Sequence, residues 1–409
     1  MNNEQTYIQL YDSHRDSLFA SAPQPMNAVR DRAMQTFQQQ GFPSRKVEDY
    51  RYIDVAQAFA GDYAFAVPQT QISVGDAQVA VNNVELLNQH YSTIADNADP
   101  LTALNTALAA ECLCIHVLKN QKVARPLELT DSLRASEPTM EHKRMLIVLE
   151  EGAELTMLMH YVAPDRCRLL ATQVVEVYVA DGAHLDMYEL EETHTSCTRF
   201  NNIYFHIGAN ATVRHNAVTL FNGLTRNTLH ARLCGQGSDV TFNGCVMASK
   251  SQTVDTNTLI RHEVPGCTSH ELYKYVVDEH ATGAFAGKVY VAEGADGTLS
   301  DEVNQNICAS DDARMYTQPM LEIYADDVKC SHGSTVGKLD DAALFYLRQR
   351  GIPLAEARML LMQAFVGQVI DYIPLPALRD RLHLLVERRL RGGLDKCTGC
   401  AMCQSPTEK

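Results

Sequence analysis

The chain contains no tryptophan among its 409 residues, and aromatic residues make up only 7%. Sugar-binding grooves often rely on broad indole faces, so this composition argues against a carbohydrate site. An excess of basic residues is also missing. The formal net charge is -15, which runs against general nucleic-acid binding, because neutralising phosphates takes Lys and Arg. No apolar run approaches the ~20 residues needed to cross a bilayer. The first residues, Met-Asn-Asn-Glu-Gln-Thr, have neither a basic start nor an apolar stretch, so no export signal is expected and the expected location is cytoplasmic. Twelve cysteines could form a disulfide framework, but in a long chain without an export signal free thiols are the expectation. Hydrophobic content of 45% is ample for two or three domains with a sizeable core.

The middle of the chain repeats. Turn-like units occur as Glu151-Gly152-Ala153, Asp181-Gly182-Ala183, Ile207-Gly208-Ala209, Gln236-Gly237-Ser238, Pro265-Gly266-Cys267 and Glu293-Gly294-Ala295. Their glycines are separated by 30, 26, 29, 29 and 28 residues, with β-rich runs such as Gln173–Val179 and Lys288–Val291 between them. A period below about 50 residues with glycine at each corner marks a stacked solenoid. A β-sandwich would place its turns about every 8–12 residues, so a β-helix fits better.

The flanks are helical. Apolar residues recur at helical spacing through Ser17–Ala20 and Met26–Phe37, whereas the pattern from Asp62 to Asn120 is mixed and leaves its elements unplaced. After Gly337 the period becomes helical again. Asp340 is placed to cap a helix that Gly351 ends, Pro353 opens a second, and a third carries Leu378, Leu382, Leu385 and Val386 on one stripe. The expected organisation is a helical region over 1–60, a β-helix core over 61–336, a helical domain over 337–395 and a Cys-rich tail over 396–409.

Four places could carry chemistry. Cys330 and His332 are two apart, so on an extended segment both face one side, where a thiolate and an imidazole could hold iron or zinc. Cys112, Cys114 and His116 share one face in the same way, but alternation in a half-buried strand explains them as well. Cys397, Cys400 and Cys403 match the first three ligands of a ferredoxin-type run; the fourth is missing, so the tail could hold only a labile metal or complete a site with a partner. Gly333–Leu339 has the flavour of a phosphate-binding loop. It is one residue short and lacks the hydroxyl after Lys338, so any nucleotide chemistry must come from a partner. From Arg379 to Lys396, six basic residues stand against Asp380, Glu387 and Asp395, a pattern expected of a solvated helix face or a partner contact.

The run from Pro319 through Leu321-Glu322-Ile323-Tyr324-Ala325-Asp326-Asp327 to Cys330-Ser331-His332-Gly333, continued by Leu344-Phe345-Tyr346-Leu347-Arg348-x-Arg350-Gly351-Ile352, resembles the C-terminal signature of the SufD branch of the SufB/SufD family. Phe42-Pro43, Arg45-Lys46 and Glu48-Asp49-Tyr50-Arg51-Tyr52 resemble the family's N-terminal segment, with Tyr50 where Trp is usual. Phe285-Ala286-Gly287 with Asn304-Gln305-Asn306 resembles the end of its central domain. SufB has a segment more like Glu-His-Glu-Ala in place of Cys-Ser-His-Gly.

The resemblance implies a mainly β fold, with a right-handed parallel β-helix core flanked by N-terminal and C-terminal helical regions. It also implies a non-enzymatic scaffold subunit of the SUF iron–sulfur cluster assembly complex. SufB would pair through the β-helix end and the ABC-type ATPase SufC would dock on the C-terminal helices, at Tyr346, Arg348 and Arg350. Cys330 and His332 would then face SufB and serve iron acquisition or a transient iron–sulfur cluster, with no stably bound cofactor. Without its partner, such a chain could pair with itself through the same edge. Two other readings stay open: a SufB-like paralogue carrying the main cluster, and a β-helix enzyme acting on polysaccharides.

Overall fold

The computed structural model describes residues 3–68, 70–73, 77–132, 135–163 and 167–392. The middle of the chain winds into a parallel β-helix. From Thr139 onward, successive strands alternate between two sheets, each bonding in parallel to the strand one full coil earlier and, except for the last two, to the one a full coil later. Strand Cys197–Ile207, for example, sits between Leu169–Val179 and Leu224–Leu233, while Thr212–Phe221 sits between His184–Glu192 and Asp239–Ala248 in the other sheet.

Inward residues stack in register. Val175, Ile203 and Leu229 form one column and Val177, Phe205 and Ala231 the next, all fully buried or nearly so. Each such large apolar side chain contributes roughly 1.5–3 kcal/mol on burial. Gly152, Gly182, Gly237, Gly266 and Gly294 turn the corners with φ of 66°, 66°, 74°, 69° and 77°. A left-handed backbone at that position favours glycine, and it aims the amide along the axis. Gly152 N donates to Asp181 O at 2.9 Å, Gly182 N to Ala209 O at 2.8 Å and Gly266 N to Asp296 O at 2.8 Å.

The lumen is not wholly apolar. Tyr161 donates to Glu189 at 2.8 Å, Asn201 donates to the same carboxylate at 3.0 Å, and His215 lies 2.8 Å from its other oxygen. Buried polar groups persist in a core when they satisfy one another in this way.

Both outer faces are covered, as parallel sheets require. Helix Pro100–Leu108, packed on Gln24–Gln40, lays Leu101, Leu104 and Leu108 against Met140, Leu170 and Phe200 of one sheet. The turn before it is pinned by Glu176, whose carboxylate accepts from the backbone amides of Ser92, Thr93, Ile94 and Ala95 at 2.7–3.1 Å and from Arg144 at 2.7 Å. The opposite sheet is covered by helices Leu354–Asp371 and Pro376–Leu390, whose Val366, Val369, Ile370, Leu382 and Val386 pack on Tyr188, Leu190, Val218, Leu220 and Met247. Arg389, in the basic stretch, donates to Leu220 O at 2.6 Å and to Ser249 Oγ at 2.6 Å. The nine cysteines among the described residues are unbridged.

Candidate functional site

The two ends of the β-helix differ. At the N-terminal end, the short strands Thr70–Ser73 and Gln78–Val81 run antiparallel to Leu127–Ser132 and Leu113–Val117 and form the last strand of each sheet, four residues long. At the other end, Arg314–Ile323 and Val328–Gly337 each have a single strand neighbour among the described residues, so both sheets terminate there in ten-residue unpaired edges. Such an edge presents a row of free N–H and C=O groups and is a template for another strand. Leu299, Tyr316, Ile323, Tyr324 and Val336 are exposed around it, and Tyr290, Glu293 and Tyr324 line a notch of about 300 Å³ at the rim.

Cys330 and His332 lie on the last strand. Register pairs them with Ser300 and Glu302 of strand Thr298–Cys308, both buried and facing the lumen, so Cys330 and His332 face the same way on the last coil. Cys330 packs on the apolar cluster of Val289, Val291 and Ala295, and its partial burial raises the thiol pKa. His332 is exposed. The alternation expected from the sequence therefore places these two side chains on one face of the last strand.

Below His332 the column continues inward as Glu302 and then Glu271. Burial pushes Glu302 up to about 8; Glu271 is raised by burial first and by the neighbouring Glu302 second. Sequence reading missed this pair. Glu302 sits in the polar run Ser-Asp-Glu-Val-Asn-Gln-Asn, which resembles a solvated strand, and only the 31-residue register onto Glu271 reveals the stack.

Tyr346, Arg348 and Arg350 lie elsewhere. Helix Asp341–Gln349 is capped by Asp340, whose carboxylate accepts from Ala342 N at 2.8 Å and Ala343 N at 3.3 Å. None of its residues is buried; Phe345 and Tyr346 are 63% and 52% exposed, and the Arg350 guanidinium lies 4.1 Å from the Tyr346 ring centre. No hydrogen bond or ion pair joins these residues to Cys330 or His332 among the described residues.

Cys112 and Cys114 are buried with Leu86, Leu87 and Tyr91, and His116 pairs with Glu150 at 2.9 Å, so this trio belongs to strand packing. Cys397, Cys400 and Cys403 lie outside the described residues. Among the described residues, no group of three or more His, Cys, Asp or Glu is arranged to hold a metal ion, and no helix is long and apolar enough to cross a membrane.

Comparison with known proteins decides what this open-ended β-helix is. The family model described as "SUF system FeS cluster assembly, SufBD core domain" matches residues 132–365, which span every β-helix coil from strand Thr139–Leu149 through the open rim. The chain belongs to the SufBD family. The SufBD N-terminal region matches over residues 1–79 and 67–129, so the helices and the capping strands are part of the family architecture too. The iron–sulfur cluster assembly protein SufD of Escherichia coli K12 is 31% identical over 302 residues, covering 73% of this chain and 71% of that protein. An iron–sulfur cluster assembly SufBD family protein of Synechocystis is 30% identical over 328 residues, covering 76% and 71%. SufD of Bacillus subtilis is 26% identical over 293 residues, covering 71% and 67%. As a SufBD protein, this chain has a non-enzymatic scaffold role in SUF iron–sulfur assembly.

Proposed function

We propose that the open rim is where this scaffold meets a SufB-type paralogue, with His332, and secondarily Cys330, offered to iron and the nascent cluster across the joint. The observation that carries this reading is the combination of two sheet edges left without neighbours among the described residues and a Cys and a His on one face of the last strand. A second β-helix adding its end strands would satisfy the free backbone groups and bury Val336, Tyr316 and Tyr324. In isolation, the same edge can take a second copy of this chain.

Helix Asp341–Gln349, with Tyr346, Arg348 and Arg350, is the docking element for an ABC-type ATPase of the SufC kind. Its unburied aromatic and basic face is the composition that interface centres favour. ATP-driven dimerisation of the ATPase would pull the two scaffold subunits and open the rim to iron and sulfide. The cluster is transient cargo, and the setting is the cytoplasm. Cys397, Cys400 and Cys403 supply three thiolates for a labile metal or for a site completed by a partner.

The test is His332→Ala in the co-expressed complex. The variant is expected to assemble with its partners and to keep its thermal stability, but to form no cluster under anaerobic reconstitution. Full cluster yield would sink the assignment.

A further inference from the structure

We propose that Glu271 and Glu302 form an inner cation site in the lumen, one coil below His332, that takes a hard divalent metal ion of the ferrous class. The two carboxylates sit in register on adjacent parallel strands, whose ~4.8 Å spacing lets both reach one ion. Acidic neighbours alone do not make a site, but three of the four oxygens of this pair have no hydrogen-bond partner among the described residues. Glu302 is fully buried, yet neither of its oxygens accepts a hydrogen bond, and Glu271 Oε1 is likewise unmet. Glu271 Oε2 is held by Thr258 Oγ1 at 3.2 Å, which leaves the free oxygen for a ligand.

Two further observations point to the same space. The phenol of Tyr273, buried between the same coils and within electrostatic reach of both carboxylates, has no hydrogen-bond partner. Across the lumen stands Gly287, where a Cβ would lie 2.5 Å from Glu302 Oε1. The glycine leaves open the room into which the carboxylate extends. Away from bulk water two adjacent carboxylates need a proton or a cation between them. Two carboxylates completed by water is a donor set that small hard cations accept, and it disfavours the thiolate-seeking metals.

The column Glu271–Glu302–His332 thus leads from an oxygen site inside to an imidazole at the rim. Metal binding by the carboxylates stands on the lumen geometry alone. Its role as a holding position for iron rests on the rim reading given above.

The experiment is an anaerobic Mn²⁺ titration of the full chain, with free Mn²⁺ counted by electron paramagnetic resonance. One saturable ion per chain is expected. Glu302→Gln and Glu271→Gln, which keep side-chain shape, should each weaken it by more than about tenfold. His332→Ala and the triple variant Cys397→Ser, Cys400→Ser, Cys403→Ser should retain it. Gly287→Ala, which fills the space beside the carboxylate, gives the same readout should either Gln variant fail to fold, and weakened binding is again expected. Absence of saturable binding, or equal affinity in the carboxylate variants, overturns the site and means the pair simply shares a proton. The two readings fail separately. No bound Mn²⁺ alongside lost cluster formation in His332→Ala removes only the inner site, whereas bound Mn²⁺ alongside full cluster yield in that variant removes only the rim.

Discussion

Tyr52 stacks on Tyr316, with ring centres 4.7 Å apart and planes inclined by 16°. One residue belongs to the N-terminal segment and the other to the last strand of its sheet, so the contact ties the start of the chain to the open rim. Gln318 adds to it by donating to Glu48 at 3.0 Å. Tyr50, two residues earlier, is held by its hydroxyl donating to Asp99 at 2.5 Å and by the Arg226 guanidinium 4.6 Å from its ring centre.

This clip should carry measurable stability. Aromatic pairs contribute about 0.5–1.5 kcal/mol beyond burial, so Tyr52→Ala and Tyr316→Ala are each expected to cost about 1 kcal/mol in urea unfolding. The double variant should cost less than their sum, because the shared contact is lost once. Strict additivity would show that the stack contributes nothing of its own.

Acid should destabilise the fold through His142. Its ring is buried, Nδ1 lies 2.7 Å from Thr172 Oγ1, and burial lowers its pKa to about 3. An unfolded histidine titrates near ~6.5. Between these values the unfolded chain binds a proton that the folded chain refuses, so this contribution to stability is full above pH ~6.5 and is lost as pH falls toward 3. His142→Gln should flatten the fall in melting temperature between pH 6.5 and 4. An unchanged slope would assign the acid sensitivity to other groups.

The two proposed docking surfaces should separate genetically. Val336, on the unpaired edge, is 49% exposed, and Phe345, on the uncovered helix, is 63% exposed. Val336→Asp is expected to weaken capture of the β-helix paralogue by at least about tenfold, about 1.4 kcal/mol, while the ATPase is retained. Phe345→Asp should do the reverse. Loss of both partners in either variant would mean that the two surfaces act as one.

Much of this architecture was legible in the residues. The corner glycines announced the coil period because a left-handed turn narrows the choice of residue. Gly208 is the instructive exception: its coil turns instead at Asn210, with φ of 54°, since asparagine also tolerates that region and leaves a weaker mark. The C-terminal helices were readable from Asp340, Gly351 and Pro353, each of which acts locally. Helices Val84–His90 and Pro100–Leu108 were not: the second is buried throughout, so no polar face gives it a period. Cys330 and His332 could be paired on one face by simple alternation. Glu271 and Glu302 could not, because their proximity depends on stacking across 31 residues rather than on neighbours in the chain.

The β-helix ends in reversed strands of four residues on one side and in parallel strands of ten residues on the other. A solenoid with two bare ends would add subunits head to tail without limit and grow into a fibre. Short reversed edges are poor templates for a further strand, so pairing through the long edges would occur once, end to end, and then close. If the long edges pair as proposed, the short ones would set the size of the assembly: two β-helices facing each other across a single joint.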